Sequence, residues 1–487
     1  MIYGCPVDAL AAEFVVVGGG SSGCAVAGRL AEAGRDVLLL EAGPDYGSYD
    51  NGNWPAELLS ARMLAITHDW GYGTDRWTFE RAKVMGGCSS HNGAIAAVGH
   101  RSDYDNWNLA GWSGAEVAPL FSGVIERMRV RTYEDWEAGP FHRCCLLAAT
   151  ELGWPIASDL CDLDAGASFG LETVNVVDGV RWNTSFAYVD PVRDRLRILD
   201  RVMVDRIDHS SGGSSVIGER NGEQLVIDAG TVVLTAGVYG TPGILERSGV
   251  GDPAVLRAAG IEVRHGLPGV GANLHDHPLV EADRVVGPEL QAWLDEASAT
   301  GFLPEEQTLG KFVSSASADG LYDMHVYPVC ASDQTSVIHG RVVVVVSCVT
   351  PLSRGAVHVT SADPRTAPII DHRYLSDENG HDLAVLRDGL VTAQQLLNHP
   401  QVATILGDAI TDVSNDEGIR QTVKHYYHPV GSCAMGSGSM AVCDANGRVH
   451  GMSGVVVADV SLMPQIPRAN TNMPAVMIGE RIARTLI

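Results

Sequence analysis

The sequence predicts an α/β fold, α+β overall: a Rossmann-like domain assembled from separated segments and interleaved with a second domain on an antiparallel β-sheet. A glycine-rich turn joins an early apolar strand to a helix. A block of β-rich runs spans residues 280–420, and an apolar strand with a following helix closes the chain. At 487 residues the chain is too long for one simple core, so two domains are expected.

Phe14–Val17 reads as a buried parallel strand and Ser22–Glu32 as the helix after it. Gly23, Ala25, Ala27 and Gly28 supply the small face that approaches the sheet. Asp36–Glu41 reads as the second strand, closing a βαβ unit of about thirty residues. Residues 45–81 are rich in Gly, Trp, Tyr and Asp without periodicity and read as an extended loop over a ligand. Gln224–Thr235 alternates and then turns continuously apolar, as a strand returning to the first sheet would. Arg341–Val349 reads as a strand of the second sheet and Asp382–Leu397 as a helix. Gly454–Ala458 and Ala475–Leu486 bring the chain back to the first domain. The expected boundaries are 1–137, 198–279 and 421–487 for the first domain, and 138–197 and 280–420 for the second.

Composition narrows the class of function. Hydrophobic residues make up 45% and charged residues 19%, as in a globular protein. A net charge of -25 argues against nucleic acid and anionic membrane as partners. No apolar run is long enough to span a bilayer, and Met1–Pro6 lacks the basic and apolar stretches of an export signal, so a cytoplasmic protein is expected. Ten cysteines without a CxxC pair do not form a disulfide framework.

Gly18, Gly20 and Gly23 satisfy GxGxxG between the strand and the helix. The first permits the tight turn, the second lets a pyrophosphate approach the backbone, and the third lets helix and strand pack closely. Glu41 ends the second strand where an acceptor for ribose hydroxyls belongs, which favours FAD or NAD over NADP. Residues 82–93, Ala-Lys-Val-Met-Gly-Gly-Cys-Ser-Ser-His-Asn-Gly, form a small-residue loop able to lie against a flat ring.

That loop resembles the first signature of the glucose–methanol–choline (GMC) oxidoreductases. Residues 235–251 resemble the second, with Val238 departing from the small residue or proline usual there. Pro268–Pro278, His428–Gly436, Val457–Ser461 and Asn470–Asn472 resemble further family motifs in order along the chain. The resemblance implies FAD, a two-domain fold and oxidation of an alcohol to an aldehyde or ketone by hydride transfer to the flavin. It identifies His428 as the base for the alcohol proton and Asn472 as a donor to the same oxygen. A histidine suits the first role because its ordinary pKa is about 6.5. The cofactor-binding residues implied are Gly18, Gly20, Ser21, Ser22, Gly23, Glu41, Ala42, Trp70, Ala82, Val84, Met85, Gly87, Ser89, Ser90 and His91. Asn92, Gly93, Ala94, Ile95, Val204, Tyr427, Asp459, Val460, Asn472 and Met473 complete them.

Within the family the loop is most similar to that of choline oxidases, which implies a covalent bond from His91 to the flavin. The pocket segment resembles them poorly. Its nearest match, Thr308–Lys311, offers a lysine and no carboxylate, so a small polar primary alcohol other than choline is expected. His325 and Tyr327 share a strand face and are pocket candidates, with ordinary sheet packing the competing reading. His425 precedes His428 by three residues, but no ligand cluster accompanies them and no metal is expected. Oxygen or another acceptor would reoxidise the flavin, and a monomer or homodimer is expected. A hydroxynitrile-lyase-like enzyme with a redox-idle flavin and a non-catalytic flavoprotein are the competing readings. Anaerobic bleaching of the flavin by an alcohol separates oxidation from both.

Overall fold

Strand β1 (Leu10–Val17) begins the described chain, and its last four residues, Phe14–Val17, are buried on both faces. Such a continuous apolar run suits the interior of a parallel sheet. Helix α1 (Ser21–Glu32) follows the glycine turn, and β2 (Val37–Leu40) returns beside β1, pairing Val15 with Leu38. The computed structural model describes residues 10–210, 213–333, 335–411, 413 and 415–487. Residues 1–9, including the segment read for export signals, lie outside the described residues.

Next along the chain come β3 (Ser168–Leu171), β4 (Arg197–Leu199), β5 (Val202–Ser210), β6 (Gly213–Arg220) and β7 (Glu223–Leu234). Helix α2 (Gly237–Arg247) leads on to β8 (Pro278–Val286), β9 (Thr308–Phe312), β10 (Met324–Cys330), β11 (Arg341–Cys348) and α3 (His381–Leu397). Finally β12 (Leu406–Ala409), β13 (Lys424–His425), β14 (Val455–Val457) and α4 (Asn472–Leu486) complete the elements used below.

The first sheet runs β4-β2-β1-β7-β6-β5, with β14 also paired to β7. Its β4, β2, β1, β7 and β14 pairings are parallel, while β7, β6 and β5 form an antiparallel meander. The returning strand and the C-terminal strand predicted from sequence therefore meet, at Val232↔Val455. The second sheet runs β12-β8-β11-β10-β9-β3, with β13 on β8, and is antiparallel throughout. This is the predicted class of fold.

Strand β11 shows how the second sheet makes a wall for a site. Its valines alternate between faces. Val342, Val344 and Val346 pack with Leu386, Leu390 and Ala393 of α3, while Val343 and Val345 turn the other way, beside Leu279 and Tyr327, onto a cavity. Each buried valine contributes about 1.5–3 kcal/mol to holding that wall.

The chain crosses between the two cores earlier than residues 138–197 suggested. The helix Pro140–Glu151 and β3 belong with the second sheet, but Phe186, Tyr188, Val189 and Val192 pack in the first core. Tyr188 sits so close to α1 that a Cβ at Gly28 would come within 2.5 Å of its carbonyl oxygen. Likewise β13 pairs with the second sheet, although sequence placed it in the first domain. Residues 45–81 are mostly irregular, as expected, with short helical turns at Tyr49–Asn51 and Ala56–Leu59. All nine described cysteines are free, and no described helix is long and apolar enough to cross a membrane.

Gly23 is where the turn is least forgiving. A Cβ there would sit 1.8 Å from the Gly18 carbonyl oxygen and 2.7 Å from Thr235 Oγ1. Gly23→Ala should therefore lower the stability of the protein by about 3 kcal/mol, the upper range for overpacking. Chemical denaturation measures this, and an unchanged midpoint would show that the turn relaxes freely.

Candidate active site

One continuous cavity of about 1680 Å³ runs from the glycine turn of the first sheet to the wall formed by β8, β10 and β11. Three helices begin on it: Ser21 and Ser22 of α1, Gly237 of α2 and Asn472 of α4 all line it. Helix N-termini present free N–H groups and the positive end of the helix dipole, which suits a pyrophosphate.

The glycine turn fits a dinucleotide by its shape. Gly18 has φ +107° and no room for a side chain, since a Cβ would meet Thr235 O at 2.5 Å. Gly20 differs: a Cβ would meet only Gly87 Cα, at 3.9 Å, and its φ of -82° is ordinary. Protein packing does not require a glycine at position 20, so the open space there belongs to the cavity. Glu41 Oε2 accepts from Gly19 N at 2.8 Å and Oε1 from Gly43 N at 2.7 Å. Each oxygen keeps a second lone pair for a ribose hydroxyl. Burial pushes this carboxyl up to about 7.

The loop at residues 82–93 lies opposite. Ala82, Gly87, Cys88, His91, Asn92, Gly93 and Ile95 line the cavity, as do Ala42, Trp70, Val204, Tyr427, Asp459 and Val460. Burial raises the Cys88 thiol, but Arg81 and His91 outweigh it and hold the thiol at about 6. His91 is buried and its Nε2 has no hydrogen-bond partner. Seven of the sequence-predicted residues stand behind the wall and not on it: Gly23, Val84, Met85, Ser89, Ser90, Ala94 and Met473. They shape the turns. Ser89 Oγ donates to Gly86 O at 2.6 Å, Ser90 Oγ donates to Met85 O at 2.8 Å, and Ala94 takes a left-handed φ of 60°.

His428 and Asn472 both line the cavity. Ser21 Oγ donates to Asn472 Oδ1 at 2.8 Å, while Asn472 Nδ2 is buried without an acceptor. His428 N donates to Asp276 Oδ1 at 3.0 Å, and the preceding Tyr427 is strained at φ 64°. The Nδ1 atoms of His428 and His277 lie 3.1 Å apart. Burial, together with His277, His325, Arg81 and His425, pushes the His428 imidazole well below its ordinary value. The near-neutral ionisation expected from sequence is thus displaced into acid. His425 lies 3.6 Å from Glu80 and is pushed down to about 4, mainly by burial.

The sequence reading of the substrate wall needs two corrections. Lys311 does not reach the cavity: it is buried, its Nζ donates to Leu160 O at 2.6 Å, and burial lowers it to about 8. The wall does carry a carboxylate, Glu306, whose Oε2 would lie 2.4 Å from a Cβ at Gly93. Thr308, two residues on, is buried away from the cavity against His142, so alternation along the segment did not reveal it. Of the strand pair proposed for the pocket, Tyr327 lines the cavity and His325 is fully buried behind it. Tyr426 also lines it, with its ring 4.5 Å from that of His428, and was missed because no motif marks it.

The fold and this cavity define a flavin-dependent oxidoreductase, and comparison with known proteins agrees. The GMC oxidoreductase family models match residues 12–279 and 351–479, so the chain belongs to the GMC oxidoreductase family. It is 32% identical to the oxygen-dependent choline dehydrogenase of Pseudomonas syringae pv. tomato, across 97% of this chain and 92% of that protein. It is equally 32% identical to the choline oxidase of Arthrobacter globiformis, across 97% and 93%. Among solved structures it shares the fold of pyridoxine 4-oxidase from Mesorbium loti, with a TM-score of 0.85, 24% identity and coverage of 97% and 99%. It shares that of Aspergillus oryzae formate oxidase too, at a TM-score of 0.84, 21% identity and coverage of 99% and 98%. The chain is an FAD-dependent alcohol oxidoreductase.

The open space at Gly20 gives a direct test of how the cofactor is held. Gly20→Ala should leave the stability of flavin-free protein unchanged while weakening FAD binding roughly tenfold or more, about 1.4 kcal/mol. Titration of flavin-free protein with FAD decides it, and unaltered affinity would remove Gly20 from the binding surface.

Proposed function

We propose that this chain oxidises a small polar primary alcohol to the aldehyde, with His428 accepting the hydroxyl proton and oxygen as the final acceptor. The observation that carries the reading is a neutral imidazole, His428, and an unengaged amide, Asn472, on the wall of one cavity. FAD, when bound, supplies the two-electron acceptor for hydride from the alcohol carbon.

The histidine pair sets which nitrogen works. With the two Nδ1 atoms 3.1 Å apart, only one of them carries a hydrogen. When His428 Nδ1–H donates to His277, His428 Nε2 holds the free lone pair and takes the proton. Asn472, its Oδ1 held by Ser21, is oriented to donate Nδ2–H to the oxygen as alkoxide character develops. Tyr426, Val343 and Val345 add apolar surface to the same cavity, the Tyr426 ring 4.5 Å from that of His428. His91 lines the cavity with an unpartnered Nε2, which supports a covalent bond from it to the flavin. The names of the relatives point to choline-like alcohols, and Glu306 removes the argument that no carboxylate faces the substrate.

His428→Ala should retain FAD yet slow anaerobic flavin reduction by about 10²–10⁴-fold, the usual contribution of a general base. Asn472→Ala should cost about 10²–10³-fold, as for one donor lost from an oxyanion. Near-normal reduction in the His428 variant would defeat the assignment.

The pH dependence follows from the sign of the His428 shift. The imidazole accepts a proton only when neutral, and its protonation is displaced below the ordinary value. Flavin reduction should therefore stay flat as pH falls through about 6.5, where an unshifted histidine would already titrate. A rate that halves near that pH in the wild type, but not in His428→Ala, would contradict the buried environment described here.

Attachment through His91 predicts that denatured protein keeps its flavin fluorescence on the polypeptide, and that His91→Asn releases it. Flavin lost entirely from the denatured wild type would exclude the bond.

A further inference from the structure

Cys88 differs from the other cysteines of the chain. Of the nine described, eight have their thiols pushed up by burial. Cys88 alone is held down, and it lines the cavity. Burial would raise it too, but the charge of Arg81 and a hydrogen bond with the His91 side chain outweigh burial. Arg81 lines the same cavity, and its Nη2 donates to Tyr427 O at 2.9 Å. Proton transfer from the alcohol to His428 leaves the Cys88 sulfur without a task.

The backbone accounts for the pairing of Cys88 with His91. Gly87–Ser90 is a single turn of 3₁₀ helix, and His91 follows at its C-terminal end. Side chains three residues apart in such a turn eclipse, so Cys88 and His91 fall on one side of it. His91 N donates to Cys88 O at 3.3 Å. A Cβ at Gly87 would come within 2.6 Å of Gly20 Cα, so this turn packs directly on the dinucleotide turn. His91 is 7% exposed and lines the cavity, and its Nε2 has no hydrogen-bond partner. That leaves Nδ1 for the sulfur: Nδ1–H donates to Cys88, and Nε2 keeps its lone pair.

Resting on the His91 attachment proposed above, we infer that Cys88 is the base for that attachment, its sulfur taking the Nδ1 proton of His91 as Nε2 bonds the flavin. The Nε2 lone pair forms the bond to the 8α carbon of the ring. One 8α C–H bond breaks; its proton passes to solvent and its electron pair stays with the ring, which gains two electrons. The imidazole, now positively charged, gives its Nδ1 proton to the Cys88 sulfur. Oxygen then takes the two electrons with two protons and leaves as hydrogen peroxide. Without the sulfur the attached imidazole would keep a positive charge in a buried place, which is costly.

The test uses the full chain made flavin-free in riboflavin-starved cells and mixed with FAD in air at neutral pH. The fraction of flavin that stays on the denatured polypeptide is followed with time, and binding of FAD before denaturation is measured separately. Wild type should attach its flavin. Cys88→Ser should bind FAD but attach it about 10²–10⁴-fold more slowly, the usual contribution of a general base. Cys88→Asp supplies a proton acceptor of similar reach and should recover attachment to within roughly tenfold of wild type. A cysteine that serves packing alone predicts the reverse order, because serine matches its shape and a buried carboxylate does not. Attachment at the wild-type rate in Cys88→Ser, or Cys88→Asp no faster than Cys88→Ser, overturns the assignment of Cys88 and leaves the bond to His91 standing. Wild type that never attaches its flavin overturns both.

Discussion

The hydrogen bond from Ser21 Oγ to Asn472 Oδ1, 2.8 Å long, ties the first helix of the chain to the last. It depends on close contact between α1 and α4. Ser22 Oγ donates to Ala475 O at 2.8 Å, and Gly479 has no room for a side chain because a Cβ would meet Ser22 O at 2.6 Å. The contact places the N-termini of both helices on one cavity. It also fixes the amide of Asn472: the oxygen is engaged and the nitrogen is left for a ligand. The turn that shapes the dinucleotide site and the group proposed to meet the alcohol oxygen are thus held by one piece of packing. A larger residue at 479 would disturb both at once.

What the sequence revealed and what it concealed divides along range of interaction. The glycine turn, the loop at 82–93 and the residues around 428 and 472 are local signatures, each readable within about a dozen residues. Their placement on one cavity followed from recognising strands that return to the first sheet. Glu172 and Glu306 carry no such signature. They meet because β3 pairs with β9, with Leu171 opposite Thr308, and because Glu172 N donates to Gln307 O at 2.9 Å. That register is set by tertiary packing and cannot be read from either segment alone. The crossing between cores near residue 182 was hidden for the same reason, since Phe186 and Tyr188 find their place only against α1.

The state of His428 was equally beyond the sequence. A histidine read alone has its ordinary pKa, but His277, His325 and His425 come from three different strands or loops to surround it. Burial keeps the cluster neutral, and nearby positive groups, Lys311 for His325 and Arg81 for His425, add to it. A neutral base accepts a proton without first having to lose one.

Burial disfavours charge throughout this part of the cavity. It holds the His428 imidazole neutral and raises the Glu306 and Glu172 carboxyls above the usual range, although Tyr426 touches the histidine and lies within the influence of both carboxyls. A proton arriving at His428 therefore meets neutral groups, and any charge that forms there is felt strongly because little water screens it.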